Sequence, residues 1–242
     1  MLNLLTWNLG ITADPGAVEI LRELDADLVL LQEVSREWVD TLREGLASDY
    51  PHMVFAIQED DAGGLGVLSR LPLSVDALLD SPVGWFPAMR LTVSSPFGPL
   101  EVLNVHLVPP FTDGGRLIPG WLTRHDDRKR EVVNYLADSV PDLIAGDFNA
   151  NEHERALRWL RREHGLVSAL PLHARRAKTW KWPHLPAWRL DHVLVGPCLL
   201  AVEAEVFALG SSDHWPVRVG LEGLEGEATA PCLAARSQER TR

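Results

Sequence analysis

Residues 143–149, Leu143-Ile144-Ala145-Gly146-Asp147-Phe148-Asn149, join an apolar run to a polar ending. Leu143 to Ala145 read as the end of a buried strand. Gly146 lets the backbone approach a neighbour closely. On an extended chain Asp147 and Asn149 point to one side and Phe148 to the other, into packing. A carboxylate beside an amide at a strand end can hold a water, a metal or a phosphate oxygen. The same residue types also make ordinary turns. What separates the two readings is whether other strands of the chain end in the same way.

They do, on both sides of the stretch. Upstream, Leu2–Trp7 is an apolar strand that ends at Asn8, and Asp27–Gln32 is a buried strand that delivers Glu33. Between them Asp14-Pro15 starts a helix over 15–25, and Ser35 caps a second over 36–47. This β-α-β-α order predicts a layered α/β arrangement. The middle changes character: strands are predicted at 52–58, 64–69, 73–80, 86–94 and 100–107, joined by short turns and therefore antiparallel. A long Pro/Gly-rich loop follows at 108–120, of a length that tends to carry function, and then a helix at about 122–138. Downstream, Asn151-Glu152-His153-Glu154 has the form of a capping box and starts a helix at about 152–164. Residues 165–187 are irregular; strands are predicted at 188–195, 201–207 and 216–221. Residues 1–221 read as one domain, because polar strand endings recur along all of it. The tail, 222–242, lacks periodicity and is expected to be disordered.

A chain that is 46% hydrophobic and 24% charged has a globular composition. No stretch approaches the roughly 18 apolar residues of a membrane span. The N-terminus lacks a basic leader and reads as a strand, not a signal peptide. Cys198 and Cys232 have no metal-type spacing and make no disulfide framework. A soluble, cytoplasmic monomer is the expectation. The net charge of −11 argues against a polyanionic partner, but the charge is uneven. Residues 1–61 carry three arginines against thirteen acids, whereas residues 152–189 carry nine Lys/Arg against three acids, together with Trp159, Trp180, Trp182 and Trp188. Basic residues interleaved with aromatics are what contacts to phosphates and bases require; a solvated helix face followed by a Trp-rich packing loop would look the same.

The polar residues at strand ends are Asn8, Glu33, His106, Asp147, Asn149, Asp191, Asp213 and His214. Their local sequences are Thr6-Trp7-Asn8, Gln32-Glu33-Val34, Gly66-Val67-Leu68-Ser69-Arg70, Asn104-Val105-His106-Leu107, Gly146-Asp147-Phe148-Asn149, Arg189-Leu190-Asp191-His192-Val193 and Ser212-Asp213-His214-Trp215-Pro216. In this order the pattern resembles the endonuclease/exonuclease/phosphatase superfamily, the deoxyribonuclease I-like fold. The resemblance spans residues 6–216. It implies a four-layer sandwich, two packed mixed β-sheets flanked by helices, with the site at one end.

Phosphate ester cleavage needs an activated water, neutralisation of charge on the phosphoryl oxygens and help for the leaving oxygen. With the resemblance, the residues take roles. Glu33 is a hard oxygen ligand for Mg²⁺ or Mn²⁺, with Asn8 supplying a neutral oxygen and Asp213 completing the metal's shell. Asp147 orients or deprotonates the attacking water, and Asn149 donates to a phosphoryl oxygen. His214 titrates near neutrality in its reference state and serves proton transfer or the transition state. His106 occupies the position of a second catalytic histidine, and Asp191 that of an aspartate holding water, metal or histidine; His192 is structural by default. Whether Asp147 or a histidine is the base stays open, as does the number of metals.

The expected function is a divalent-metal-dependent phosphodiesterase acting on nucleic acid, endo- or exonucleolytic. The alternative is a phosphatase or phospholipid phosphodiesterase of the same superfamily, with a phosphorylated small molecule or lipid as partner. A non-catalytic binding module is the third reading, and no expected catalytic position carries an inert residue. Arg116, Arg124, Lys178, Trp180 and Lys181 are the candidate substrate contacts, with Arg128, Lys129 and Arg130 adding to the basic rim.

Overall fold

The computed structural model describes residues 1–58, 61–110, 120, 123–170, 174, 176–182, 184 and 186–224. Sheet 1 has the strand order β11-β12-β1-β2-β4-β3, and sheet 2 the order β5-β6-β7-β8-β10-β9. In chain order the strands of sheet 1 are β1 (Leu2–Asn8), β2 (Leu28–Gln32), β3 (His52–Ala56), β4 (Leu65–Ser69), β11 (Leu199–Val206) and β12 (Val217–Gly223). Those of sheet 2 are β5 (Leu73–Leu79), β6 (Ala88–Ser95), β7 (Gly98–His106), β8 (Leu143–Asp147), β9 (Val167–Ser168) and β10 (Asp191–Val195). Among the described residues each sheet contains one parallel pair, β1 with β2 and β7 with β8; the remaining pairings are antiparallel.

Strand alternation builds the layers. Leu2, Leu4, Leu28 and Leu30 face sheet 2, where they meet Leu91, Val93, Val102, Leu143 and Val193. Their neighbours Leu5, Trp7, Val29 and Leu31 face the other way, onto helices α1 (Gly16–Leu24) and α2 (Arg36–Leu46). On the far side Leu103, Val105, Ile144 and Phe148 meet α3 (His125–Tyr135) and α4 (Arg155–His164). Strands buried on both faces are apolar throughout, which is why they read as continuous runs rather than alternating ones. The result is the expected four-layer sandwich.

Element ends differ from the sequence reading in instructive places. Pro15 is the formal N-cap of α1, but Asp14 Oδ1 accepts the Gly16 N–H at 2.9 Å, so Asp14 still supplies the cap chemistry. Ser35 caps α2 by accepting the Trp38 N–H. In the expected capping box, Glu154 reaches back to the Asn151 N–H at 3.4 Å, yet the helix begins only at Arg155. The strand expected from Trp188 starts at Asp191, because Trp188 instead bridges to Trp180. Strand β9 is two residues long, too short for any periodicity to show. Strand β12 runs to Gly223, beyond the expected domain end at 221. Residues 225–242 of the expected disordered tail lie outside the described residues.

Between the apolar core and the open end of the sandwich lies a thin polar layer. Gln32 donates to Asn104 Oδ1 at 2.8 Å and to Thr6 Oγ1 at 3.2 Å, and Asn104 donates to the carbonyls of Leu31 and Gly66. All three side chains are fully buried. Buried amides bonded to one another across two sheets, with their remaining hydrogens on buried hydroxyl and backbone oxygens, fix how those sheets seat. No local sequence signal marks Gln32 or Asn104 for this role, because the partners are far apart in the chain.

Candidate active site

Parallel neighbours deliver their ends to one edge. Asn8 pairs in register with Gln32, the residue before Glu33, and His106 pairs with Asp147. Strand β10 runs antiparallel to β8 and sets Asp191 opposite Asp147. His214 lies just before β12, antiparallel to β1, and Trp7 Nε1–H donates to its carbonyl at 3.0 Å. All eight strand-end residues therefore gather at one end of the sandwich.

Asp147 Oδ2 is the point of convergence. Asn8 Nδ2 lies 3.1 Å away, His106 Nε2 3.5 Å and His214 Nε2 3.6 Å. The His214 ring is fixed from behind: Nδ1–H donates to Asp191, 2.9 Å from Oδ2. Asp191 is itself held, since Thr179 Oγ1 accepts the N–H groups of both Leu190 and Asp191. Asp147, Asp191 and His214 each place a donor atom within 4.8 Å of the others. His214 Nδ1 is engaged by Asp191 and Nε2 faces Asp147, so the trio forms an aspartate–histidine–aspartate array whose donor atoms are also close enough together to hold a metal. Phe86 stacks on His106 with ring centroids 4.3 Å apart, which holds the second imidazole in place.

Gly146 permits the approach. It has φ of 142°, and a Cβ there would sit 2.0 Å from the Val105 carbonyl oxygen. After it the chain does not stay extended. Asn149 is left-handed, with φ of 49°, and its N–H donates to Asp147 Oδ1 at 2.8 Å. The turn reading of Asp147 thus holds for Oδ1, while Oδ2 faces Asn8, His106 and His214. One Asn149 amide hydrogen goes to the Leu107 carbonyl, so the side chain is anchored as well as placed at the site. Phe148 is buried against α3 and α4, as expected.

Sheet 1 contributes Glu33, also left-handed with φ of 58° and a side chain 24% exposed. Its Oε1 accepts from Asn8 Nδ2 at 2.9 Å. Asn8 departs from the role expected of it. Its amide oxygen accepts the Gly10 N–H, which fixes the orientation, and its NH₂ group bridges Glu33 and Asp147. As placed, it aligns the two acids rather than offering an oxygen to a metal. Asp213 also has a prior commitment, because its Oδ2 accepts the Trp180 indole N–H at 2.8 Å.

Burial and charge set the protonation states. Burial raises the Glu33 carboxyl, outweighing the hydrogen bonds from Asn8 and the Ile11 N–H. Burial likewise raises Asp147, against the pull of His214 and His106. For His214, burial alone would lower the value, but Asp191 and Asp147 together push it up to about 10. His192 is pushed down to about 4 by burial; neutral, it donates from Nε2 to the Ala150 carbonyl, which confirms its structural assignment.

The candidate substrate contacts separate. Arg116 lies outside the described residues. Arg124 pairs with Asp127 at 2.9 Å and stands over the Trp85 ring. Lys178 and Lys181 are exposed. Trp180 is only 8% exposed and stacks with both Trp188 and Trp182, so it is not an open platform; Trp182, 50% exposed, shows a ring to solvent. Arg128 is not part of a rim: it is fully buried, donates to Glu154 at 2.7 Å and to the Val108 carbonyl, and ties together the loops after β7 and β8.

Comparison with known proteins agrees with this geometry. The model of the Endonuclease/Exonuclease/phosphatase family matches residues 5–214. An uncharacterized protein, YbhP of Escherichia coli K12, is 28% identical over 207 residues, 75% of this chain and 76% of its own. The endonuclease/exonuclease/phosphatase of Beutenbergia cavernae superposes with a TM-score of 0.75 at 22% identity, covering 92% of this chain and 71% of that one. TDP2 of D. rerio, complexed with single strand DNA product, gives 0.68 at 18% identity, covering 91% and 98%.

Proposed function

This chain belongs to the Endonuclease/Exonuclease/phosphatase family, and from that premise we propose that it is a divalent-metal-dependent phosphodiesterase that hydrolyses nucleic acid. Enzymes of the family are in general hydrolases of phosphoester bonds. The observation that carries the reading is the Asp191–His214–Asp147 array set opposite Glu33.

The roles follow from the geometry. Asp147, buried and raised in pKa, accepts a proton from the attacking water through Oδ2, the oxygen not engaged by the Asn149 N–H. His214, held by Asp191 and raised to about 10, is an imidazolium at neutral pH. It therefore serves to stabilise negative charge on the phosphoryl oxygens. His106, also beside Asp147, adds a second donor. Asn8 keeps Glu33 and Asp147 at a fixed separation.

The donor set fits a divalent cation. Glu33, Asp147 and Asp191 are hard carboxylates, burial raises two of them, and the nearby cationic groups are imidazoles. Glu33, with Asp213 beside it, would hold Mg²⁺ or Mn²⁺, which when bound neutralises phosphoryl charge. The preference for nucleic acid rests on exposed Lys178, Lys181 and Trp182 beside the site, and on the DNA product carried by the structural relative TDP2. We take residues 1–223 as the catalytic unit, acting as a monomer. Among the described residues no helix is long and apolar enough to cross a membrane.

A substrate panel tests this: plasmid, single-stranded DNA, RNA, inositol phosphates, sphingomyelin, bis-(p-nitrophenyl) phosphate and its monoester, each with Mg²⁺, Mn²⁺ and EDTA. EDTA-sensitive cleavage of the diester and of nucleic acid is expected. Cleavage confined to the monoester or to sphingomyelin would replace the reading with the phosphatase or phospholipid alternative.

A further inference from the structure

Helices α3 and α4 enclose a groove of about 420 Å³ on the outer face of sheet 2. Lys129 of α3 lines one side; Arg155, Arg158, Trp159 and Arg162 of α4 line the other. The four α4 residues fall at i, i+3, i+4 and i+7, which is one face of a helix, and span about 10 Å along its axis. Ala156, Leu157 and Leu160 occupy the opposite face and hold the helix on sheet 2. The groove also contains two acids. Asp126 is paired with Arg155, and Glu163 stands beside the stripe. The side chains of Lys129, Arg158 and Arg162 make no hydrogen bond or ion pair with any described residue. In a chain of net charge −11, uncompensated cations gathered in a concave site are a local reversal of sign.

The groove has a direction. Strand β8 ends at Asp147, and α4 begins at Arg155, directly after the Asn149–Glu154 turn that Arg128 ties down. Arg155 therefore marks the end of the groove nearest the site, and Arg158 and Arg162 lead away from it. Trp159 is half-buried and packed edge-on against His164, so its ring belongs to the groove and does not protrude from a flat face. A membrane surface calls for a protruding ring. A recessed ring between spaced cations fits a sugar–phosphate strand.

We propose that this groove is a second binding site, which holds the backbone phosphates of a nucleic-acid strand whose scissile phosphate lies among Asp147, His214 and Glu33. The proposal rests on the phosphodiesterase reading for the identity of the strand. It assigns Lys129, Arg158 and Arg162 to phosphate contacts and Trp159 to an apolar contact with a sugar or base.

The test is a Lys129→Ala/Arg158→Ala/Arg162→Ala triple variant of the full chain. Binding of a labelled strand of about 30 nucleotides is followed by fluorescence anisotropy in EDTA from 50 to 200 mM salt. Each single-strand phosphate contact contributes about 0.7 to the slope of log affinity against log salt, so losing three flattens it by about 2. Over that fourfold salt range the wild type then loses about 16-fold more affinity than the variant. Hydrolysis of bis-(p-nitrophenyl) phosphate, too small to reach the groove, is expected to be unchanged, as is the melting temperature. An unchanged slope and affinity in the variant would overturn the proposal. So would loss of binding to phosphatidylserine vesicles with strand binding intact, since the groove would then serve a lipid. The binding arm reads the groove whether or not the protein cleaves anything, and the small-diester arm reads the reaction centre alone, so the two readings fail separately.

Discussion

The β1–β2 and β7–β8 pairs are one device built twice. Each is the parallel pair of its sheet, each ends in polar residues, and both end at the same edge. They differ in how those residues are housed. The sheet 2 pair delivers His106 and Asp147, 3% and 1% exposed, into a shell of ring and amide donors. The sheet 1 pair delivers Asn8 and, one residue past its strand, Glu33, 24% exposed and turned by a left-handed backbone. An enclosed acid with a raised pKa suits proton transfer. A more open acid suits a ligand that arrives from water and leaves again. Asn8 joins the halves, so the comparison predicts that injuries to each half will differ in kind.

The largest effect is expected from the enclosed half. Asp147→Ala or His214→Ala should lower kcat on a small diester by about 10²–10⁴-fold, read by steady-state kinetics; full retention in either variant would remove that array from the reaction. Next comes the bridge. Asn8→Ala leaves both acids in place without their shared donor, and activity should fall about 10–100-fold. If Glu33 is the open, ligand-holding half, the Mg²⁺ activation curve of this variant moves to higher concentration; a fall in rate with an unmoved curve would assign Asn8 to Asp147 alone.

The third effect concerns stability. Gly146→Ala drives a Cβ to 2.0 Å from a backbone oxygen, while for Gly66→Ala in sheet 1 the nearest atoms are side-chain carbons of Phe55 and Val34, at 3.1 Å and beyond. Costs on the order of 3 kcal/mol and about 1 kcal/mol are expected, respectively. Equal midpoints in urea denaturation would show that the close approach at Gly146 is not special.

The smallest effect lies behind sheet 2. Glu131 accepts from the Ser81 hydroxyl and the Val108 N–H, and burial pushes its carboxyl up to about 7. A folded-state value above the unfolded 4.5 means a contribution to stability present below pH 4.5 and lost as the pH rises through about 7. The melting temperature should sag across that window in the wild type and sag less in Glu131→Gln. Parallel curves for the two proteins would rule out Glu131 as the source.

Much of this was legible in the sequence because buried strands are uniformly apolar, so that a polar residue at a strand end stands out. Asn8, Glu33, His106, Asp147 and Asp191 declared themselves in that way. The layered order followed from β-α-β-α at one end and helix-free strands in the middle. What stayed hidden depends on pairs distant in the chain. Gln32 and Asn104 are 72 residues apart, and nothing local marks either as the other's partner. Asn8 was legible as a site residue, but its orientation was not, since that is decided by the N–H of Gly10. Arg128 looked like one more cation of a basic run until burial and Glu154 separated it from its neighbours. The tryptophans at 180, 182 and 188 gave an aromatic signal, but which of them faces water depends on their stacking.

The seat of β12 beside β1 also has a consequence in time. The first strand ends at Asn8, and the partner that covers its open edge begins at Val217. At roughly 5–20 residues per second, a ribosome needs roughly 10–40 s to make the intervening chain. Through that interval β1 presents unpaired N–H and C=O groups, the condition in which nascent chains stick to one another. His214, carried just ahead of β12, reaches Asp147 and Asp191 only when that strand docks. A chain broken off before β12 therefore lacks the histidine that Asp147 and Asp191 hold, so the array is the last part of the candidate site to be assembled, when the closing strand docks.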